Sequence, residues 1–388
     1  MAVTEIQYEG WFSRIAGSIK SVLFGVLLAL ASVPLLWWNE GRAVQTQKSL
    51  EQGAGEVVSV AADAVDPAHE RTLVHVSGQA RAEQAPEDPI FHVSQDALRL
   101  RRKVEMFQWR ENQRTEERKK LGGGREKRTV YEYRAEWTDS AVDSSRFKEP
   151  GRQNPPGLPY PNETFEADAR LGAFRLLPEQ LELLDDFRTL PTPEEALAQA
   201  PPPGYAPPRR DGNGLYLGVV GGVAQAAGGP AIGDVRVRFE AVSPGPVSVV
   251  AVQSGDSFAP WQAPAGDSVL LVAAGARTAA QMFDKAQADN TALTWVLRLL
   301  GFILMWVGSS LVFRPVAVVA DIVPFVGSIL GFGVAVLGFV LAALGSSVIV
   351  ALAWIFYRPL LGIALLLLGG GAFGAVWYLG QKRQAARA

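Results

Sequence analysis

The sequence of 388 residues contains no cysteine and only three histidines, which removes several kinds of chemistry. Without cysteine the chain has no disulfides, no thiolate metal ligands and no cysteine nucleophile. His69, His75 and His92 offer little material for a metal site or a general base. Charge of one sign is also missing, because 37 basic and 39 acidic residues give a formal net charge of −2. Phosphate binding needs clustered positive charge, so nucleic acid is not expected as a partner.

Catalytic signatures are missing as well. The sequence has no P-loop, no GxSxG element, no HExxH element and no dinucleotide-binding fingerprint. Acidic residues at Glu163, Glu166 and Asp168 could hold a hard cation, but ordinary surface carboxylates are the commoner explanation of such a group. The sequence therefore predicts no enzyme, no cofactor and no metal. A membrane-anchored hydrolase is the less favoured alternative.

Two apolar regions of unequal size are present, at residues 21–38 and 299–380. The first has 18 uncharged residues. As a helix it would be about 27 Å long, close to the thickness of a hydrocarbon core. It could be the apolar part of a signal peptide, but the paired tryptophans at its end are typical of an interfacial anchor. We interpret residues 18–38 as a retained transmembrane helix that follows a cytoplasmic segment at residues 1–17.

The C-terminal region predicts three further transmembrane helices. They are expected at residues 293–313, 326–354 and 359–380, with a re-entrant or interfacial connector at 314–325 and a tail at 381–388. The predicted fold class is therefore a membrane protein of the α+β type. Its four transmembrane helices, one N-terminal and three C-terminal, enclose a soluble domain.

Basic residues near the helix ends predict the orientation. Arg14 and Lys20 precede the first helix, and Lys382 and Arg383 follow the last. The positive-inside rule then puts both termini and the tail in the cytoplasm and residues 39–292 on the other side. The cysteine-free composition, rich in Ala, Arg and Gly, favours a bacterial source, in which this domain would be periplasmic and the helices would cross the inner membrane.

Aromatic and basic residues at the helix ends are expected to lie at the two membrane surfaces. Tryptophan and tyrosine prefer the headgroup region, and arginine can extend its charge toward water. The candidate interfacial anchors are Trp37, Trp38, Trp295, Arg298, Trp354, Tyr357 and Arg358.

Small residues recur at intervals of about one helical turn within residues 326–354. They are Gly327, Gly331, Ala335, Gly338, Ala342 and Ser346. Such spacing lets helix backbones approach closely in lipid. The contact can be packing inside one helical bundle or self-association between subunits, and the spacing does not separate the two.

Residues 39–292 predict a mixed domain in which β-structure dominates. Alternation of apolar and polar residues indicates strands at 73–78, 130–137 and 235–240. Another strand, at 247–253, follows a Pro-Gly-Pro turn and is expected to form a hairpin with the strand before it.

Helices and flexible segments are fewer in this domain. Helical spacing is present at residues 178–190 and again from Arg277 toward the membrane. Residues 110–128 are highly charged around three glycines and indicate a solvated, flexible hairpin, with a headgroup-binding arm as the alternative. The proline-rich residues 191–214 predict a flexible surface loop.

Several short motifs occur in a fixed order along the chain. They are Phe24-Gly25, Trp38-Asn39-Glu40-Gly41-Arg42-Ala43-Val44, Tyr131-x-Tyr133-x-x-x-Trp137, Asn154-Pro155, Gly233-Asp234-Val235-Arg236, Pro244-Gly245-Pro246-Val247-Ser248, Met282-Phe283, Asn290, Thr294-Trp295-x-Leu297-Arg298 and Tyr357-Arg358-Pro359-Leu360. Together with the layout of one helix and then three, these motifs resemble the LUMA family, also called transmembrane protein 43. One departure is Arg152, where that family's Gly-His-x-Asn-Pro element has a histidine.

The resemblance implies a multipass membrane protein that self-associates and organises membrane complexes. We therefore expect a non-enzymatic scaffold whose partners are membrane lipids, further copies of the chain and other, unidentified membrane proteins. A channel or a lipid-handling protein is the alternative. Coupled transport is disfavoured, because the apolar segments keep their charged residues near the predicted ends.

Overall fold

A computed structural model of the protein describes residues 2–224 and 228–359. It contains helices α1 (Trp11–Glu56), α2 (Pro178–Leu181), α3 (Glu194–Leu197), α4 (Ala279–Ala320) and α5 (Pro324–Tyr357), and a short 3-10 helix at Pro67–His69. Three of them, α1, α4 and α5, are long and apolar enough to cross a membrane. The sequence predicted four such helices. The described residues contain three, and all of the fourth except Pro359 lies outside them.

The strands of the described residues lie between the long helices, except for the first, which precedes α1. They are β1 (Ala2–Glu9), β2 (Val58–Val60), β3 (Leu73–Gln84), β4 (Glu87–Asp88), β5 (Val93–Ser94), β6 (Arg99–Lys119), β7 (Arg125–Thr138), β8 (Glu163–Glu166), β9 (Asp168–Leu171), β10 (Phe174–Leu176), β11 (Arg188–Thr189), β12 (Arg209–Asp211), β13 (Gly214–Leu217), β14 (Val235–Val242), β15 (Gly245–Ser254), β16 (Ser257–Ala259), β17 (Trp261–Gln262), β18 (Ser268–Val269) and β19 (Leu271–Ala274).

Two large sheets build the domain, each with its own apolar core, and the pairs β4-β5 and β17-β18 form two small sheets beside them. The first sheet has the order β1-β7-β6-β14-β13-β12, with β11 added to β14 and β8 added to β6. The second has the order β10-β9-β3-β15-β16, with β19 added to β15 and β2 added to β3. The core of the first includes Val104, Val237 and Phe239, and the core of the second includes Val76 and Val249. These residues come from the alternating segments of the sequence, so the prediction of a β-rich domain is confirmed.

The hairpin predicted around Pro244-Gly245-Pro246 is not formed. Strand β14 pairs with β6 and β13 in the first sheet, whereas β15 pairs with β3, β16 and β19 in the second. Pro244 and Pro246 have no backbone N–H and cannot donate to a tight two-strand ladder. The Pro-Gly-Pro segment therefore carries the chain from one sheet to the other.

The long helices extend past the boundaries expected from hydropathy. The predicted span at 18–38 lies inside the 46 residues of α1, and the one at 293–313 lies inside the 42 residues of α4. Much of the predicted connector is helical, because α4 continues through Pro315 to Ala320. A proline inside a helix removes one backbone hydrogen bond and can be accommodated there. By contrast, the helix predicted at 178–190 is only the four residues of α2.

Helices α1 and α4 carry the membrane segment directly into the domain. Residues 39–56 of α1 lie beside residues 279–292 of α4, and we call this helix pair the stalk. Leu50, Met282 and Phe283 are buried there against Val250 of the second sheet and Trp261 of β17. Neither helix is interrupted between the membrane segment and the domain, so the domain is mounted on the helices without a flexible linker.

Three strands form an arm that projects from the first sheet. We define the arm as β1, residues 107–119 of β6 and residues 125–137 of β7. The charged segment predicted as a hairpin is the outer part of this arm, with its turn at residues 120–124. Strand β1 pairs with β7 along its whole length, which places the segment preceding the first membrane helix in the same sheet as the domain. The residues of the predicted loop at 191–214 include α3 and β12.

Candidate membrane-interface site

A buried carboxylate joins the three long helices where the apolar segment of α1 ends. Glu40 of α1 is 1% exposed. Arg298 of α4 donates from Nε to Glu40 Oε1 at 2.6 Å and from Nη2 to Oε2 at 2.8 Å. Trp354 of α5 donates from Nε1 to Glu40 Oε2 at 2.7 Å. A two-pronged arginine–carboxylate pair fixes geometry as well as charge, so these contacts define how the helices meet.

A second polar layer ties α1 to α4 on the domain side of Glu40. Asn39 donates from Nδ2 to the carbonyl oxygen of Thr294 at 3.1 Å, and Asn290 donates from Nδ2 to the carbonyl oxygen of Ala43 at 3.0 Å. Arg42 donates to Asn290 Oδ1 at 2.9 Å and to Thr294 Oγ1 at 3.1 Å. Side chains of each helix thus bond to the backbone of the other, an arrangement that opposes sliding of the two helices.

The predicted anchors Trp295, Arg298 and Trp354 come together around Glu40. The Arg298 guanidinium lies 4.8 Å from the Trp295 ring centroid and 5.7 Å from that of Trp354, which is within cation–π range. In the sequence, Glu40 stood out only as a member of the motif at residues 38–44. Its place directly after the paired tryptophans was the signal that could have identified it.

Of the remaining anchors, Trp37, Tyr357 and Arg358 form a separate group, to which Trp38 does not belong. Trp37 packs against Tyr357, with ring centroids 5.9 Å apart. Arg358 donates to Gln47 Oε1 at 2.6 Å, next to the stalk. Trp38 points away from the bundle and is 56% exposed. Trp37 of α1 and Tyr357 of α5 therefore lie at one level, as expected for one membrane surface.

An apolar groove opens beside Arg298. It has a volume of about 440 Å³, and its lining includes Leu36, Phe302, Ser347 and Val350. The walls are hydrocarbon, and the guanidinium of Arg298 and the ring of Trp354 lie among the lining groups. The groove can hold an apolar chain with its polar end near the level of Glu40.

The small residues of α5 mostly face the chain's own helices. A Cβ added at Gly338 would lie 2.3 Å from Ser310 Oγ, and one added at Gly327 would lie 1.9 Å from Asp321 Oδ1. Ala342 is fully buried against Leu36 and Met305 of α1 and α4. The carbonyl oxygen of Ala335 accepts from Trp306 Nε1 at 2.9 Å, and Ser346 donates to the carbonyl oxygen of Ala342 at 2.6 Å. Gly331 differs, because a Cβ there would have nothing within 4 Å.

A second polar cluster closes the opposite end of the bundle, and we call it the clasp. Asp321, between α4 and α5, pairs with Arg14 at the start of α1 and with Lys119 at the end of β6, the latter at 2.5 Å. Arg14 also donates to the carbonyl oxygen of Gly123 at 2.6 Å, and Trp11 Nε1 donates to the carbonyl oxygen of Val318 at 3.1 Å. The clasp therefore joins the turn of the arm to the far ends of the helices.

The acidic group considered for a cation is engaged with arginines. Glu163 accepts from Arg102 Nη2 at 2.8 Å, and Glu166 pairs with Arg99 at 3.2 Å. Within residues 2–224 and 228–359, no set of three or more His, Cys, Asp or Glu side chains is placed to hold a metal ion. These carboxylates thus have a structural role in joining β8 to β6.

A family model described as Transmembrane protein 43 matches residues 106–359, which include every lining residue of the groove except Leu36, and the clasp's Asp321. Transmembrane protein 43 of Mus musculus is 32% identical over 373 residues, which cover 92% of this chain and 90% of that protein. The chain belongs to the transmembrane protein 43 family. The Homo sapiens protein is 32% identical over 366 residues, covering 90% of this chain and 88% of the relative. The Drosophila melanogaster homolog is 29% identical over 366 residues, covering 92% and 93%.

These comparisons confirm the resemblance drawn from the short motifs, and no solved structure matches this sequence. The transmembrane protein 43 relatives named above are animal proteins, so they give no support to a bacterial source or to a bacterial inner membrane. What they and the three apolar helices support is a membrane protein of this family.

Two motifs that carried the resemblance to transmembrane protein 43 have structural roles in the domain. Asn154 bonds to both the backbone N–H and the carbonyl oxygen of Trp109, at 2.7 and 2.9 Å, and so occupies the edge of β6 in place of a strand. Asp234 accepts from the backbone N–H of Val219 at 2.8 Å and from the Tyr216 hydroxyl. Burial, together with the hydrogen bond to Asp234, raises the pKa of Tyr216 to about 12. The contacts of Asp234 with Tyr216 and Val219 hold the loop that precedes β14 in place.

Proposed function

We propose that the protein is a non-enzymatic membrane scaffold that self-associates and holds its two-sheet domain in a fixed position over the bilayer. The observation that carries the proposal is the rigid mounting of the domain, in which α1 and α4 run unbroken from the membrane segment and pack against one face of the second sheet. The polar cluster at Glu40 fixes the same helices to α5. A domain fixed in this way is suited to presenting binding surfaces at a constant height.

The helices keep most of their apolar surface available for neighbours. Each buries only 17% of its most apolar window within the chain, and the rest faces lipid or another protein. We include the orientation in the proposal: by the positive-inside rule, Arg14 and Lys20 favour a cytoplasmic start of α1, with the domain on the opposite side.

Replacing Gly331 by leucine tests self-association through α5. Gly331 lies on the small-residue face of α5 but has no neighbour from the chain, so the leucine fits within one subunit and blocks close approach by another. We expect Gly331→Leu to reduce the oligomeric fraction at least tenfold while the unfolding temperature stays within a few degrees of the wild-type value. The mass of the protein in mild detergent or nanodiscs measures the first quantity.

The matched control is Gly333→Leu. Gly333 is also open, but two residues along a helix place it on the opposite side of α5. If both variants keep the wild-type mass, α5 does not form the subunit contact. A wild-type protein that is monomeric at all concentrations would disprove the scaffold proposal in its self-associating form.

Lipid handling is a second candidate, and the groove beside Arg298 favours it. An acyl chain would lie on Leu36, Phe302 and Val350, with its polar end near Arg298 and Trp354. We expect Ser347→Trp, which fills the groove, to reduce labelling by a photoactivatable phospholipid several-fold. The control is Ser328→Trp, an exposed position of the same helix away from the groove. Equal labelling of the two variants would rule out lipid binding in the groove.

A further inference from the structure

The arm covers the same distance as the apolar segment of the helices. Strands β6 and β7 pair without interruption from Met106 opposite Thr138 to Lys119 opposite Arg125. At about 3.3 Å per residue, these 14 pairs extend roughly 46 Å. The arm starts at the domain and ends at the clasp, where its turn contacts Arg14. Along α1, the 26 residues from Arg14 to Glu40 extend about 39 Å. The arm therefore passes the level of residues 21–38.

The side chains of the arm are incompatible with lipid. Arg114 and Glu116 are 80% and 62% exposed on β6, and Arg134 and Glu132 are 73% and 53% exposed on β7. These four residues share one face of the arm, because directly paired residues and every second residue of a strand point the same way. Glu117, 46% exposed, and Lys127 opposite it lie on the other face, so charge is present on both faces of the arm. Charged groups at this depth have to be paired or surrounded by water or protein.

The open backbone edges of the arm are also incompatible with lipid. Strand β1 is the last strand of its sheet and has no strand on its outer side among the described residues. Beyond Trp109, where Asn154 occupies the edge, β6 also has no strand on the side away from β7. Open strand edges do not occur next to lipid, because their N–H and carbonyl groups would lack partners. Both edges need either water or another strand.

We propose that the arms of several copies gather around a water-filled space inside the membrane assembly, with β1 of one copy beside β6 of the next. The proposal rests on self-association and names the surface that carries it. Both β1 and β6 are antiparallel to β7, so they run in the same direction, from the domain side toward the clasp. Rotation about the membrane normal preserves that direction, so a ring of identically oriented subunits brings the two edges together in parallel. The apolar helices then face the lipid outside the ring of arms.

The absence of cysteine from the chain allows a direct test of water access. Arg114→Cys introduces one thiol on the exposed arm. Phe24→Cys, 57% exposed on α1, is the control at a similar distance from the clasp: about 15 Å for ten helical residues and about 17 Å for five strand residues. Membranes opened to both sides are treated with a membrane-impermeant maleimide. We expect Arg114→Cys to react at least tenfold faster than Phe24→Cys, and equal rates would overturn the aqueous location.

A double variant tests the pairing of arms from different copies. Gln7 of β1 and Glu117 of β6 both lie opposite Lys127 of β7, so they are at one level and two strand spacings, about 9.6 Å, apart within a subunit. Cysteines at that separation cannot form a disulfide in one subunit. Mild oxidation of the Gln7→Cys/Glu117→Cys variant in membranes should therefore produce a ladder of multimers, and neither single variant should do so.

The outcomes separate the two proposals. An oligomer by mass that gives no ladder overturns the arm contact and leaves self-association through the helices standing. A monomeric mass overturns self-association and, with it, the ring of arms. A ladder with rapid labelling of Arg114→Cys is the expected result. Because both edge positions and Arg114 are exposed in the subunit, the variants should fold, and unchanged unfolding temperatures verify this.

Discussion

Replacing Glu40 by alanine should lower the unfolding free energy by about 3 kcal/mol. The substitution leaves Arg298 without its buried partner and removes the acceptor of Trp354. Breaking one side of a buried ion pair costs roughly 3–5 kcal/mol, and we expect the lower end because Arg298, at 19% exposure, can turn toward the headgroups. At about 2.1 cal/mol/K of unfolding entropy per residue, the loss in a chain of 388 residues corresponds to a drop of about 4 °C in Tm, measured in detergent or nanodiscs.

Arg298→Ala should lower the unfolding free energy more than Glu40→Ala does. Arg298→Ala leaves the Glu40 carboxylate, 2% exposed on a short side chain, without a way to reach water. The double variant Glu40→Leu/Arg298→Leu removes both charges and should recover much of the lost stability. Glu51→Gln, at an exposed position of the same helix, is the matched control and should change Tm by no more than a degree or two. If Glu40→Ala behaves like Glu51→Gln, the cluster does not hold the helices together.

The membrane-interface site shows which contacts a single sequence can predict. Trp295, Arg298 and Trp354 were recognisable as anchors because aromatic and basic residues at the end of an apolar run have a physical reason to lie there. Glu40, the carboxylate that binds both Arg298 and Trp354, belongs to another helix, 258 residues from Arg298 along the chain. Periodicity in one segment carries no information about such a pairing. The anchors were therefore predictable one by one, and the cluster was not.

The arm shows the same limit for the fold. Alternation of residues predicted a strand at 130–137, and the charged glycine-containing segment before it predicted a hairpin. Both are present in β6 and β7. The pairing of β1 with β7 was not predicted, since a short polar strand before an apolar helix resembles an ordinary flanking segment. Similarly, the two prolines around Gly245 predict a hairpin turn, but only the pairing partners of β14 and β15 decide whether the turn joins strands of one sheet or of two.

A close approach of α1 and α4 leads to the second large effect, at Gly308. A Cβ added there would lie 2.7 Å from Ala29 N and 2.7 Å from the carbonyl oxygen of Gly25, both backbone atoms of α1. Backbone cannot rotate away as a side chain can, so the two helices would have to separate. We expect Gly308→Ala to destabilise the protein measurably and Gly308→Val to cost about 3 kcal/mol, near the upper end for overpacking.

The expected order of stability is wild type, then Gly308→Ala, then Gly308→Val, measured as Tm and as the fraction recovered as a single species after solubilisation. Gly331→Val is the matched control, because Gly331 is also a glycine of an apolar helix but a Cβ there meets nothing within 4 Å. Its Tm should stay near the wild-type value. Equal stability of Gly308→Val and Gly331→Val would mean that α1 and α4 do not cross at Gly25 and Gly308. The rigid mounting of the domain would then depend on the stalk and the Glu40 cluster alone.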